Sequence, residues 1–219
     1  MKLIDIDEFK TLASGGYTIV DTRKPEIFTN GFLKGAISIT FDENFISAFQ
    51  ELIEGEQKVL FIADEEVVPL VSKQLKAAGI QNVEGFLKGG FDASKVNGKL
   101  FDLLIAIDTE EFAIDYRFDE FYLVDVRPTE EFEKEHLEDA ENVTLNDLEQ
   151  LLVDLDPADS YYVYANSFAE SVTAGSLFKK DGFERVKVVA DSYENMKLAE
   201  LPVVSPDKKK TPSDKFSNN

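Results

Sequence analysis

The sequence contains an internal duplication with a period of about one hundred residues. The segment Leu123–Arg127 repeats the segment Ile19–Arg23, with each Asp and each Arg 104 positions from its counterpart. Further pairs at this spacing are Glu26 with Glu130, Phe28 with Phe132, Leu33 with Leu137 and Ala36 with Ala140. A period of this length is too long for one unit of a solenoid and suits a duplicated domain. We therefore expect two copies of one fold in tandem.

Within each copy, short apolar runs alternate with amphipathic stretches. The first copy has predicted strands at 18–21, 35–39, 59–62 and 83–86 and predicted helices at 44–52 and 67–78. This alternation predicts an α/β fold in which each copy has a central parallel sheet with helices on both faces. We place the domain boundary in the polar stretch 95–99, so the predicted domains span 1–98 and 99–201. Residues 202–219, rich in Pro, Lys and Ser, are predicted to form a disordered tail.

The stretch Tyr161–Gly182 has the order of strand, loop and helix that creates an anion cradle. The run at 161–164 predicts a strand buried on both faces. A loop of small and polar residues at 165–171 follows, and then a helix that ends at Gly182. Free backbone N–H groups converge where such a loop enters its helix. The first copy repeats this order at 63–67, and ligands are expected beyond the carboxyl ends of the strands in both copies.

Composition excludes several classes of function. The chain has 43 acidic and 23 basic residues, and its net charge of −20 argues against nucleic acid or anionic membrane surfaces as partners. It has no Cys, which excludes disulfides, thiolate metal sites and thiol catalysis, and a single His, His136. We expect no metal and no cofactor. The amino terminus is charged from Lys2 and lacks the apolar run of a signal peptide, which predicts a cytoplasmic protein.

The duplicated motifs resemble the rhodanese-like family in its tandem form. That family typically shows an Asp-x-Arg stretch with Glu and Phe behind it, followed by a Gly-His-Ile-x-Gly-Ala segment. The first copy reads DTRKPEIF at 21–28 and GFLKGA at 31–36, and the second reads DVRPTEEF at 125–132 and HLEDA at 136–140. Gly89-Gly90 matches a turn near the end of the family's domain. The resemblance covers residues 1 to about 200 and implies two rhodanese-like domains.

The resemblance also implies a catalytic Cys after the buried strand and an Arg in the next loop, and both are replaced. The Cys position corresponds to Ala165 in the second copy and to Ala63, or to Ile62 with a shorter loop, in the first. The loop Arg corresponds to Glu170. Sulfur transfer needs a thiolate to attack the sulfur donor, which Ala cannot supply. An engineered Cys→Ala substitution would explain Ala165 alone, but neither Glu170 nor the acidic first loop.

These departures favour a catalytically inactive protein that acts as a protein-binding or regulatory module in sulfur metabolism. One alternative is a structural module of a larger sulfur-handling protein, since rhodanese-like domains occur fused to metallo-β-lactamase-fold persulfide oxygenases. The initial Met and the predicted tail favour a complete chain over that alternative. Residual thiosulfate sulfurtransferase activity, or phosphatase activity, is the disfavoured third hypothesis.

Two loops contain the candidate binding residues. The first loop has Asp64, Glu65 and Glu66, and the second has Asn166, Ser167, Phe168 and Glu170. Phe168 is expected to be exposed in mid-loop, whereas the tyrosines of 161–164 are expected in the core. An acidic rim with one aromatic residue suits a basic segment of a partner protein. The alternative, of equal weight, is that both loops bind nothing and face solvent.

Other matched residues have simple structural interpretations. Asp21 and Asp125 are expected to bond backbone at their strand ends, and Arg23 and Arg127 to pair locally. Glu26 and Glu130 fit the first turn of a helix, where a carboxylate is favourable. His136 is expected to be a hydrogen-bonded structural residue.

The replaced residues predict how activity could be restored. The wild-type chain should show no turnover above a denatured control in a thiosulfate and cyanide assay. Ala165→Cys alone should stay inactive, because Glu170 opposes the thiolate and repels an anionic donor. Ala165→Cys with Glu170→Arg should give measurably more turnover than either change alone. Equal activity of the single Cys variant would show that Glu170 does not face the cradle.

Overall fold

The computed structural model describes residues 2–53, 55–94 and 101–205. The strands of the first domain are β1 Leu3–Ile4, β2 Thr18–Asp21, β3 Phe32–Leu33, β4 Ala36–Ser38, β5 Val59–Ile62 and β6 Val83–Leu87. Its helices are α1 Ile6–Ser14, α2 Pro25–Thr29, α3 Phe45–Leu52, α4 Val68–Ala77 and α5 Gly90–Ser94.

Strand β7 Phe101–Asp102 follows and pairs with β3 of the first domain. The second domain then repeats the sequence of elements, with strands β8 Ile105–Ile107, β9 Tyr122–Asp125, β10 His136–Leu137, β11 Ala140–Asn142, β12 Tyr161–Tyr164, β13 Val186–Val189 and β14 Val203–Val204. Its helices are α6 Thr109–Phe118, α7 Thr129–Lys134, α8 Leu145–Leu152, α9 Phe168–Lys180 and α10 Tyr193–Met196.

Each domain is built on a five-stranded sheet whose strands are all parallel. The strand order is β1-β6-β5-β2-β4 in the first domain and β11-β9-β12-β13-β8 in the second. The central strands β5 and β12 are buried at every residue, which explains why their apolar runs are unbroken. The predicted tandem α/β fold, with parallel sheets and helices around them, is confirmed.

The register of the two sheets shows that the duplicated sequence segments occupy equivalent positions in the two domains. Asp21 at the end of β2 pairs with Ile62, and Asp125 at the end of β9 pairs with Tyr164. Both central strands therefore end one residue before an Ala. The cores are strongly aromatic: the Phe61 ring stacks with Phe49 and Phe86, and the tyrosines of β12 are buried as predicted.

Two short antiparallel pairs lie outside the main sheets. Strand β3 pairs with β7, and β10 pairs with β14. The second pair shows that the tail prediction was wrong for residues 202–205, because β-branched Val203 and Val204 extend along β10. The Glu138 N–H also donates to the Pro202 carbonyl at 2.8 Å. The rest of the predicted tail and the predicted boundary at 95–99 lie outside the described residues.

Helix α9 joins the two domains. All nine residues from Ser171 to Lys179 are buried, because the helix packs on β12 and β13 of its own sheet and on β4 of the other. Strand β4 is the edge of the first sheet, and the Ser38 N–H there donates to the Ser176 hydroxyl at 3.0 Å. At Gly175, a Cβ atom would lie 2.6 Å from Val188 and 2.8 Å from Leu104. Glycine therefore allows the close contact between helix and sheet.

The bond between the domains predicts a specific loss of stability. Ser176→Ala leaves the buried Ser38 N–H without an acceptor, and this should lower the free energy of unfolding by about 1–3 kcal/mol. Ser171→Ala is the matched control, because Ser171 is equally buried in α9 but its hydroxyl donates only to the Ser167 carbonyl of the same helix. Urea unfolding should show the larger loss for Ser176→Ala. Equal losses would mean that the hydrogen bond between the domains contributes nothing particular.

Candidate functional site

A buried Asp–Arg pair lies at the carboxyl end of the second strand in each domain. Arg23 Nε donates to both Asp21 carboxylate oxygens, at 2.9 and 3.0 Å, and Arg23 Nη2 donates to Oδ2 at 2.6 Å. The Arg23 N–H also donates to Asp21, at 3.1 Å. Arg127 and Asp125 repeat this arrangement. The prediction of local pairing and backbone bonding is confirmed, and neither arginine projects into solvent.

An aromatic ring covers each arginine. The Arg23 guanidinium carbon lies 3.8 Å from the centroid of Phe91, and that of Arg127 lies 3.5 Å from the centroid of Tyr193. Burial raises the pKa of Tyr193 to about 12, so its ring stays neutral above Arg127. The sequence interpretation missed both rings. The sequence contains a signal for both rings. Phe91 directly follows Gly89-Gly90, and Tyr193 directly follows Asp191-Ser192, which stand at the matching positions of the second copy.

The nucleophile positions hold buried methyl groups. Ala63 directly follows β5 and Ala165 directly follows β12, with 1% and 0% of their surfaces exposed. Because Ile62 and Tyr164 occupy the same place in the sheet register, Ala63 is the counterpart of Ala165 and the alternative placement at Ile62 was wrong. The Tyr193 N–H donates to the Ala165 carbonyl at 3.1 Å, which fixes the end of β12.

Beyond the carboxyl ends of its strands, the first domain has an open cleft of ≈ 780 Å³, which we call its mouth. Its carboxylates come from α2, from the loop after β5 and from α5, namely Glu26, Asp64, Glu65, Glu66 and Asp92. The three predicted loop residues Asp64, Glu65 and Glu66 are exposed. Among the described residues, Arg23 is the one basic residue that lines the cleft, and its charge is already paired with Asp21. The local charge is therefore strongly negative.

At the corresponding strand ends of the second domain, the loop residues bond the start of the next helix. Ser167 caps α9, accepting a hydrogen bond from the Glu170 N–H at 3.3 Å. The order Ser167-x-x-Glu170 is that of a capping box. Burial raises the pKa of Glu170, and the nearby Ser167 hydroxyl and the backbone N–H groups of Asn166 and Ser167 partly offset the effect. A protein carboxylate therefore lies beside the N–H groups that would form an anion cradle.

The capping box corrects the predicted loop. Helix α9 begins at Phe168, so the loop is 165–167 rather than 165–171. Phe168 is the first helical residue, is half-buried and packs against the main core, so its predicted exposure was wrong. Asn166 is exposed and its amide donates to Glu131 of α7 at 2.7 Å. The loop is thus tied to the neighbouring helix.

The remaining candidates have structural roles. His136 Nδ1 bonds the Phe132 carbonyl at 2.8 Å and its ring stacks on that side chain at 3.7 Å, as predicted. Glu26 and Glu130 lie in the first turns of α2 and α7. Within the described residues, no group of acidic, His or Cys side chains has the geometry of a metal site. No helix in the described ranges is long and apolar enough to span a membrane.

Comparison with protein families gives two matches. A family model described as Rhodanese-like domain matches residues 5–96 and again residues 109–199. No curated protein matches the chain.

Solved structures with similarity to the chain include single domains and a larger protein. The Alr3790 protein from Anabaena sp. is 22% identical, with 45% of this chain and 91% of that chain covered and a TM-score of 0.43. A full-length protein from Lactobacillus plantarum is 26% identical, with 46% and 88% covered and a TM-score of 0.41. Thiosulfate sulfurtransferase from Pseudomonas aeruginosa is 14% identical, with 94% and 44% covered and a TM-score of 0.41.

The capping box predicts the effect of removing its hydroxyl. Ser167→Ala should lower the free energy of unfolding by about 1 kcal/mol, because the Glu170 N–H loses its acceptor. Ser47→Ala is the control, since Ser47 is an exposed residue of α3 and does not cap it, and Ala is the better helix former. Urea unfolding should therefore show no loss for the control. A Ser167→Ala chain as stable as the wild type would contradict the capping role.

Proposed function

Because the chain belongs to the rhodanese-like domain family and contains no Cys, we propose that it is a non-catalytic binding module whose first-domain cleft accepts a cationic segment of a partner protein. The observation that carries this proposal is the ≈ 780 Å³ cleft with five carboxylates along its walls. We further propose that the protein is cytoplasmic and that its partner belongs to sulfur metabolism. Both extensions rest on the sequence and on the family alone.

The absence of a nucleophile supports a non-catalytic role. Transfer of sulfur through a persulfide needs a thiolate, and buried Ala63 and Ala165 stand at the two positions where the family has one. The charges around these positions also oppose an anionic substrate. Arg23 and Arg127 are bonded to Asp21 and Asp125, so their positive charges are already compensated inside each domain.

The walls of the first cleft favour a Lys- or Arg-bearing segment. Carboxylates from α2, from the loop and from α5 face one space, so an ammonium or guanidinium group there can bond more than one of them. Ile27 is 48% exposed at the same cleft. The aliphatic stem of a Lys or Arg side chain packs well on such an apolar surface while its charge stays near the carboxylates.

Charge reversal in the cleft tests this proposal. The probe is a labelled peptide of alternating Lys and Gly, measured by fluorescence anisotropy at about 0.15 M salt, where charges more than about 8 Å apart are largely screened. Glu65→Lys with Glu66→Lys should raise the dissociation constant of the peptide at least about tenfold, equivalent to about 1.4 kcal/mol. The reason is that both carboxylates line the cleft.

The matched control makes the same change in net charge elsewhere. Asp119→Lys with Glu120→Lys reverses two exposed neighbouring carboxylates that follow α6 in the second domain. This variant should bind the peptide within about threefold of the wild type. Equal weakening by both double variants would mean that the peptide responds only to the overall charge of −20, and the proposal would then be wrong.

A further inference from the structure

A short segment between the two sheets contacts the walls of the first cleft and the second domain at once. This strap, residues 101–104, consists of β7 and the two leucines that follow it. On the first-domain side, β7 pairs with β3, and the Leu104 N–H donates to the Thr29 carbonyl at the end of α2 at 3.2 Å. Helix α2 also contains Glu26 and Ile27, which line the cleft. The strap is therefore attached to one wall of the cleft.

An aromatic contact attaches the strap to a second wall. The rings of Phe101 and Phe91 meet edge to face, with 5.4 Å between their centroids. Phe91 belongs to α5, lines the cleft and covers the Arg23 guanidinium at 3.8 Å. Edge-to-face pairs stabilise a structure beyond the apolar area that they bury. The position of Phe91 in the cleft wall therefore depends on the strap.

The other side of the strap is held by α9 of the second domain. Lys179 is buried, with 8% of its surface exposed, and its ammonium group lies 3.2 Å from Asp102 Oδ1. Leu104 is also buried and lies against α9 where Gly175 leaves room for it. A buried charge is costly unless it is paired, so the ion pair fastens the strap to α9.

The described part of the second domain lacks the ring contact. Strand β14 pairs with β10 as β7 pairs with β3, and Val203 takes the place of Phe101 in this pairing. A valine cannot place a ring against Tyr193, and the Lys197 ammonium group lies 5.1 Å from the centroid of that ring instead. The ring contact is therefore not a requirement of the fold, and it occurs in the domain with the open cleft.

We propose that the strap couples the first cleft to α9, so that the second domain sets the affinity of the cleft for its cationic ligand. Phe101 and Asp102 are positioning residues, because Lys179 fixes Asp102 and Phe101 then holds Phe91 in place. Release of Phe91 moves Asp92, the next residue of α5, away from the carboxylates of the other walls. The effect on affinity rests on the function proposed above, whereas the coupling between strap and cleft wall does not.

Hydrogen exchange tests the coupling without any ligand. Lys179→Met removes the ammonium group and keeps a long side chain in the buried position. Amides of residues 86–94, which include α5, should then exchange at least about tenfold faster than in the wild type, because local opening becomes easier. Lys180→Met is the matched control, since Lys180 is the next residue of α9 and its ion pair with Glu149, at 2.6 Å, lies within the second domain. It should leave exchange at 86–94 unchanged.

A second variant and an internal reference separate the strap from a general loss of stability. Phe101→Leu removes the ring, leaves the ion pair of Lys179 intact and should accelerate exchange at 86–94 about three- to tenfold. Amides of β12, Tyr161–Tyr164, report global unfolding, so the acceleration at 86–94 must exceed any change there. The proposal is overturned if Lys179→Met accelerates both segments equally, or accelerates 86–94 no more than Lys180→Met does.

Peptide binding tests the consequence for the cleft. Lys179→Met should bind the Lys-Gly peptide at least about fivefold more weakly than Lys180→Met, which changes the net charge equally. Equal binding by the two variants would show that the strap does not set the affinity, and that part of the proposal would be wrong. A wild-type chain that does not bind the peptide would contradict the function proposed above, while hydrogen exchange would still decide the coupling.

Discussion

The burial of α9 between two sheets is the packing constraint on which the rest of the structure depends. A surface helix needs one apolar stripe, but a helix covered on all sides needs residues small enough for close approach. Gly175 allows α9 to approach Val188 and Leu104 closely, because it has no Cβ atom. The Ser176 hydroxyl accepts a hydrogen bond from Ser38 in the edge strand β4. The same helix begins at the second mouth. Its packing therefore fixes that mouth relative to the first domain.

The buried Asp–Arg pairs compensate their charges inside each domain. A buried ion pair is tolerated only when its remaining hydrogen-bonding groups are satisfied. Arg23 meets this condition through Asp21 and the Gly31 carbonyl, and Arg127 does so through Asp125 and the Glu135 carbonyl. Because an aromatic ring then covers each guanidinium, these arginines stabilise strand ends and loops. They leave little positive potential for an anionic substrate.

The two mouths lost their cradles in different ways. In the first domain, Asp64, Glu65 and Glu66 remain exposed around an open cleft, so negative charge is presented to solvent. In the second, the half-buried Glu170 carboxylate lies beside the N–H groups of the loop. One fold therefore presents several carboxylates to solvent at the first mouth and a single half-buried carboxylate at the second. The difference follows from position in the chain. Asp64, Glu65 and Glu66 precede α4, whereas Glu170 lies inside the first turn of α9.

The sequence alone determined the duplication, the parallel α/β architecture, the buried tyrosines of β12 and the absence of a thiol nucleophile. These follow from residue identity, from apolar periodicity and from a repeat that needs no three-dimensional information. The start of α9, the burial of Phe168 and the contacts of the strap between the domains were decided by tertiary structure. The order Ser167-x-x-Glu170 is a local capping signal, but the same residues are also compatible with a loop over 165–171. The packing of Phe168 against the core favours the helix. Which faces of α9 are covered depends on β4, more than a hundred residues away in sequence, and no local pattern records that contact.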